Sequence, residues 1–255
     1  MLEVCKKYGI EFSGNIFLKK AKDVAHIAEV CQKYGIEIYA NMYRRTAEEI
    51  EDIIIFCKKN NIELSSGIFY RKLDELEDII KTCKKHNVPL FANVFKRTSD
   101  EVEKICFLCK VHNIPVSGSV FLYEYKEFKK KLDLCLDNKI DITSSVFTKK
   151  AIKLEDTIKF LKEFYGDQYL KSLIIIRDKN YLKDVFAYLD SLGFLPVVIN
   201  SASILSLTLN EIKDRKEYIE SIGEEIVVDG KFNSIFGLSN KNYQNRKNGI
   251  VRKRK

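Results

Sequence analysis

Five cations recur at one place in a repeating frame: Lys19, Arg45, Arg71, Arg97 and Lys149, with Tyr123 standing in the single gap. Each lies just ahead of an amphipathic run, so the column sits beside successive helix N-termini. Lys and Arg there suit phosphate, because charge-assisted donors and the unpaired N–H groups of a helix start point at the same place. Stacked helices lie about 10 Å apart, which would turn the column into a ladder of cations. Five phosphate contacts to duplex DNA would give log K a slope of about −4.5 against log salt. The competing assignment is local. Glu49, Glu75 and Glu101 follow Arg45, Arg71 and Arg97 by four residues and can pair with them on a helix surface, although such exposed pairs are weak enough for a phosphate to displace.

A second column holds Tyr8, Tyr34, Asn60, His86, His112 and Asn138. Planar rings and amides at variable positions of a regular frame can stack on bases or hydrogen-bond their edges. The plainer alternative is surface variation at a fraying helix end. The third basic group is the tail, Arg246, Lys247, Arg252, Lys253, Arg254 and Lys255, suited to non-specific attraction for phosphate. Residues 241–255 carry seven Lys/Arg and no acid, so only +1 of the formal +8 remains for residues 1–240. Net charge therefore implicates the tail, and the body must be judged on pattern.

Catalytic and metal chemistry find little support. Cysteines stand at 5, 31, 57, 83, 109 and 135, 26 residues apart, and the seventh, Cys106, makes a lone C-x-x-C with Cys109 on a helix. One structural column of thiols reads as core packing and reduced cysteine rather than a disulfide framework or zinc site. His26, His86 and His112 are the only histidines, and no glycine-rich phosphate loop, H-E-x-x-H or paired-acid motif is present. The expectation is a protein with no enzymatic activity, no cofactor and no metal.

The elements that position these columns follow from the period. A fixed repeat of this length is the signature of a solenoid or array. Leu73, Leu76, Ile79, Ile80 and Cys83 share one helical face, as do Ile50, Ile53, Ile54 and Cys57. Thr46 with Glu49 and Thr98 with Glu101 read as capping boxes. Acids gather in the first turn and lysines in the last, matching the helix dipole. Gly9, Gly35, Asn61, Asn87 and Asn113 follow where a left-handed cap is wanted. Each copy thus predicts a helix of about 13–15 residues, about 20 Å long, then a short apolar segment with an aromatic at Phe17, Tyr43, Phe69, Phe95, Phe121 or Phe147. That segment reads as a short helix or turn, or as a strand of a leucine-rich-like α/β solenoid. Pro89, Pro115 and the small residues Ser65, Ser66 and Gly67 favour the first.

The expected fold is an all-α, curved α-solenoid of six 26-residue helical repeats over residues 1–160. From Leu161 the period is lost, and residues 161–243 are expected to form a nonrepeating helical C-terminal cap, with 244–255 as a disordered basic tail. With 45% apolar and 31% charged residues a folded body is expected. No apolar run of membrane-spanning length or signal segment is readable, so a soluble cytoplasmic protein is expected.

The stretch from Pro196 to Gly223, with its proline, the Ile204-Leu205 pair, Arg215 and a helix closing on glycine, resembles the repeats of mitochondrial transcription termination factor (mTERF) proteins. Family repeats run longer than 26 residues and carry more prolines than Pro89, Pro115 and Pro196, and no transit peptide is evident here. The upstream copies look like shortened, regular versions of the same unit, so the resemblance covers most of residues 5–223 and implies a curved helical array whose concave side holds nucleic acid, DNA or RNA. The alternative function is a protein-protein interaction scaffold.

Overall fold

The computed structural model describes residues 1–11, 14–199, 202–223, 236 and 238–249. Among them the chain is all-helical and contains no strand. Short and long helices alternate: α1 (Leu2–Tyr8), α2 (Ala21–Tyr34), α3 (Ala47–Lys59), α4 (Leu73–Lys85), α5 (Ser99–Val111), α6 (Tyr125–Asp137) and α7 (Ala151–Phe164) each end in a turn that leads to a short 3-10 helix or, after α5, to a plain turn. The leucine-rich alternative is thereby set aside. The short apolar segments are 3-10 helices at Gly14–Leu18, Ala40–Arg44, Ile68–Tyr70, Val94–Lys96 and Ser144–Thr148.

Helix ends follow the residues expected to make them. Thr46 and Glu49 cap reciprocally, with Glu49 N donating to Thr46 Oγ1 at 3.2 Å and Thr46 N to Glu49 Oε2 at 2.9 Å. Thr98 and Glu101 do the same, and so do Thr208 and Glu211 farther along. At the other end Asn61, Asn87 and Asn113 take φ of 52°, 53° and 54°. The residue after each asparagine then donates its N–H to the carbonyl of the repeat's cysteine, as from Ile62 to Cys57 at 2.9 Å and from Val88 to Cys83 at 2.8 Å. That bond is the closing link of a Schellman cap, whose usual companion is an apolar contact between the same two residues. A buried thiol supplies it with little bulk. The sixth copy puts Lys139 at this left-handed position, φ 52°, where a side chain with a Cβ is strained by about 1–2 kcal/mol. Lys139→Gly is expected to raise stability by about 1 kcal/mol after its own unfolded-state entropy is counted, read as a higher urea midpoint at unchanged m.

Two compact units emerge, Met1–Lys130 and Lys131–Lys255, and their boundary falls inside residues 1–160, which the period alone reads as one array. In the first unit α1 packs on α2, α2 on α3, α3 on α4 and α4 on α5, while the 3-10 turns pack on one another beside them. Ile50, Ile53, Ile54 and Cys57 of α3 and Leu76, Ile79, Ile80 and Cys83 of α4 are buried, with Leu73 half-buried. Burying each such aliphatic side chain contributes about 1.5–3 kcal/mol. Tyr43, Phe69, Phe95, Phe121 and Phe147 are buried, whereas Phe17 is 67% exposed. The turns approach closely: a Cβ on Gly67 would lie 2.4 Å from the Ala92 carbonyl oxygen, so only glycine fits there.

The second unit corrects the expected loss of pattern after Leu161. α8 (Ser172–Ile175) takes the place of a 3-10 turn, followed by α9 (Lys179–Ser191), 3-10 turns at Leu195–Ile199 and Ala202–Ser206, and α10 (Leu209–Ser221). Leu161, Leu189 and Ile219 carry on the buried cysteine column at intervals of 28 and 30 residues. Ile174-Ile175 and Ile204-Leu205 replace the apolar-aromatic pair and are equally buried. The unit therefore continues with two and then four extra residues per copy. Helix α11 (Asn240–Lys247) makes the first four residues of the expected disordered tail helical, and Arg252, Lys253, Arg254 and Lys255 lie outside the described residues.

Candidate nucleic-acid interface

The cation column faces inward. The last carbonyls of a 3-10 turn have no partner within the turn, since the chain leaves in extended conformation to start the next helix. A cation from the preceding copy fills that need. Arg45 donates from Nε to Phe69 O at 3.5 Å and from Nη2 to Tyr70 O at 2.9 Å. Arg71 repeats the pattern one copy on, to Phe95 O at 3.2 Å and Lys96 O at 3.0 Å. Lys149 donates to Thr157 Oγ1, to Ile175 O at 3.1 Å and to Arg177 O, and burial pulls its ammonium below the usual lysine range. Lys19 occupies the same position, half-buried.

The local pairing foreseen for these residues is also present. Arg45, Arg71 and Arg97 stand 3.7, 3.5 and 3.9 Å from Glu49, Glu75 and Glu101. Burial would raise the Glu101 carboxyl, but N–H donors from Thr98 and Tyr125 and the charges of Arg97 and Arg71 hold it below the usual carboxylate range. Arg97 is the exception to carbonyl capping: among the described residues its buried Nε and Nη1 find no acceptor, and the segment after it, 118–121, is a plain turn rather than a 3-10 helix. With side chains only 13%, 18% and 10% exposed, Arg45, Arg71 and Arg97 present little charge to a phosphate backbone, and the first two cap carbonyls of the following copy instead.

Two copies lack a cation in this column and make up for it from the helix. Tyr123 and Leu207 hold the position, and eight residues after each stands a fully buried cation, Lys131 and Arg215. Both replace an apolar residue of the helix, the place of Ile53, Ile79 and Ile105. Lys131 donates to Phe147 O at 3.0 Å. Arg215 donates to Phe236 O at 3.2 Å, Leu238 O at 2.8 Å and Asn240 Oδ1 at 2.7 Å, and burial lowers its pKa. The paired exchange at a fixed spacing was present in the sequence as two cations in a column otherwise made of Ile27, Ile53, Ile79, Ile105, Val185 and one polar residue, Thr157.

The Tyr/Asn/His column bridges neighbouring helices or caps its own. Tyr8 donates to Glu29 at 2.9 Å, Tyr34 to Glu51 at 2.8 Å, and His86 Nε2 lies 2.8 Å from Glu103. Asn60 and Asn138 donate to the carbonyls of Phe56 and Leu134 within their own helices, and His112 is half-buried. Lysines cover the tyrosine faces, with Lys7 4.7 Å from the Tyr8 centroid and Lys58 4.9 Å from that of Tyr34. Apart from His112, the groups expected to read bases are thus engaged by the protein itself. Of the tail, Arg246 and Lys247 lie on α11, where Lys247 pairs with Asp214 at 2.5 Å.

What the first unit does expose is lysine at helix C-termini. Lys6, Lys7, Lys33, Lys58, Lys59, Lys84, Lys85 and Lys110 are all exposed in or next to the last turns of α1 to α5. Lys33 pairs with Glu51 at 2.6 Å and Lys85 with Glu103 at 2.7 Å, with more than 60% of each lysine side chain in solvent. Exposed acids lie toward the other end, Glu48, Asp74 and Asp100 in the first turns of α3, α4 and α5 and Asp52 and Asp78 in the second turns of α3 and α4. Sequence reasoning assigned the lysines to the helix dipole alone.

All seven cysteines are free and buried. Burial pushes the Cys106 thiol up to about 11 and the Cys109 thiol up to about 12, which removes thiolate reactivity at neutral pH. Among the described residues no group of three or more His, Cys, Asp and Glu is placed to hold a metal ion, and no helix is long and apolar enough to cross a membrane. No family model matches the chain and no curated protein matches it.

Proposed function

We propose that this chain is a non-catalytic nucleic-acid-binding repeat protein whose contact in the first unit is the row of lysines at the helix C-termini. The supporting observation is positional: Lys58, Lys84 and Lys110 each follow the core cysteine of α3, α4 and α5 by one residue, and all three are exposed. Consecutive packing of α3, α4 and α5 sets these charges in a row at about 10 Å steps, able to follow a phosphate backbone. The ion pairs of Lys33 and Lys85 are exposed and worth at most about 1 kcal/mol, so phosphate competes with them. The mTERF resemblance of residues 196–223 points to the same ligand class.

Anisotropy of labelled duplex DNA, single-stranded DNA and RNA across a salt series tests the reading. Replacing Lys58, Lys84 and Lys110 together by alanine is expected to weaken binding and reduce the log–log salt slope by about 2–3, at about 0.7–0.9 per lost contact. Because the three side chains are exposed, the melting transition should stay in place. Unchanged affinity and slope would reject the lysine row. The second reading, a protein-interaction scaffold, draws on the facing bands of acid and lysine on the same helices, a pattern that a partner of complementary charge would match. It is favoured if the parent chain binds none of the nucleic acids.

A further inference from the structure

The groove between α7 and α9 lacks a cross-helix bond that closes two earlier helix pairs. Between α2 and α3 Tyr34 reaches Glu51, and between α4 and α5 His86 reaches Glu103, each at 2.8 Å. In both cases the residue three past the core cysteine closes the groove against the residue five past the next N-cap. At α7 and α9 those two positions hold Phe164 and Lys183, which cannot form such a hydrogen bond. A third change widens the gap: Ala187 stands two residues before the core position, where Ile55, Lys81 and Phe107 stand in earlier helices. The result is an open groove of about 720 Å³.

Its floor is aromatic and held in place. Phe164 is 64% exposed, and its ring packs 5.4 Å from Phe160, which in turn lies 5.6 Å from Tyr165. Tyr165 is clamped edge-on against buried Phe186 at 5.0 Å. Phe164 is thus the solvent-facing end of a packed chain of rings. Lys159, Lys179 and Lys183 line the groove along with Asp156 and Glu163. Asp156 is occupied by Lys179 at 2.8 Å, and Lys159 reaches Glu155 through a pair 3.0 Å long with 73% of the lysine side chain in solvent. An exposed aromatic platform flanked by displaceable lysines complements a flat ring that carries an anion.

We infer that this groove receives one unpaired base of a single-stranded nucleic acid, with the base against Phe164 and its phosphate toward Lys183 and Lys159. A single strand is favoured over a duplex because the faces of paired bases are covered by their neighbours, whereas every unpaired base offers a face for stacking. The inference rests on the nucleic-acid reading above and adds strand preference to it.

Short uridine-only RNA, thymidine-only DNA and a blunt DNA duplex are the probes, with the full chain and three variants. Phe164→Ala is expected to weaken single-strand binding about 5- to 100-fold, the range of one lost stacking contact, while leaving duplex binding unchanged. Phe164→Tyr, which keeps the ring, should bind as the parent does, and Lys183→Glu should weaken single-strand binding and flatten its salt dependence. Ultraviolet cross-linking should attach the uridine strand to the peptide that contains Phe164. If Phe164→Ala and Lys183→Glu bind single strands as tightly as the parent, the groove assignment is overturned and the lysine-row reading stands. If the parent binds no probe, both are overturned.

Discussion

Arg215→Ala is expected to destabilise the second unit by about 3–5 kcal/mol, the cost of removing one partner from a buried charged network. The side chain is fully buried, and its loss leaves a cavity as well as unpaired acceptors at Phe236 O, Leu238 O and Asn240 Oδ1. Arg215→Lys should recover only part, because a single ammonium cannot reproduce the fork that spans two carbonyls and an amide. The more informative variant combines Arg215→Ile with Leu207→Arg. It moves the cation back to the column of Arg45 and Arg71 and returns the helix position to the isoleucine found at 53, 79 and 105. Recovery of most of the lost stability in urea melts is expected. A midpoint for Arg215→Ala within about 1 kcal/mol of the parent, or a double variant no better than Arg215→Ile alone, would refute the exchange.

That exchange also explains what could and could not be read from the chain. Helix lengths, the Thr46 and Thr98 caps and the left-handed positions at Asn61, Asn87 and Asn113 were legible, because each is decided by residues within five positions of one another. The direction of Arg45 and Arg71 was not, since their acceptors are backbone carbonyls 24 and 25 residues ahead, and carbonyls leave no mark in a sequence. The pairs with Glu49 and Glu75 were visible at four residues' distance, yet they describe only the exposed side of each guanidinium. The C-terminal copies were hidden for another reason. Cysteine gives way to Leu161, Leu189 and Ile219 while the spacing grows, so both the marker residue and the period fail together although the packing does not. The α7–α9 groove depends on that alignment and was invisible without it.

The base-reading column illustrates the same limit at shorter range. Tyr34 and His86 looked alike as planar, polar surface residues, and each turned out to hold a carboxylate of the next helix, Glu51 or Glu103. Their common role depends on the neighbouring copy 17 residues on. Phe164 falls in the same column without a hydroxyl or ring nitrogen, and it is there that the groove opens. Asn60 and Asn138 in the same column also make no cross-helix bond and turn back onto their own helices, so Phe164 is set apart by an exposed ring that makes no hydrogen bond of either kind.

Lys131 tests whether buried cations of this chain act as structure. Its side chain is fully buried and its ammonium reaches Phe147 O at 3.0 Å, the carbonyl corresponding to those that Arg45 and Arg71 hold at Phe69 and Phe95. Lys131→Ala is expected to cost about 3–4 kcal/mol, combining a cavity with an acceptor stripped of its donor in the interior. Lys131→Met, which keeps the length of the stem and drops the charge, should cost about 1–3 kcal/mol, because the ammonium's own desolvation is relieved as its partner is lost. Lys58→Ala, at an exposed position, should stay within about 0.5 kcal/mol of the parent while weakening nucleic-acid binding. Urea melts of the three variants, read beside their affinities, separate the two uses of lysine. If Lys131→Ala melts with the parent, the carbonyl at Phe147 needs no cation and the column is not a structural ladder. If Lys58→Ala loses stability instead of affinity, the exposed row belongs to the fold.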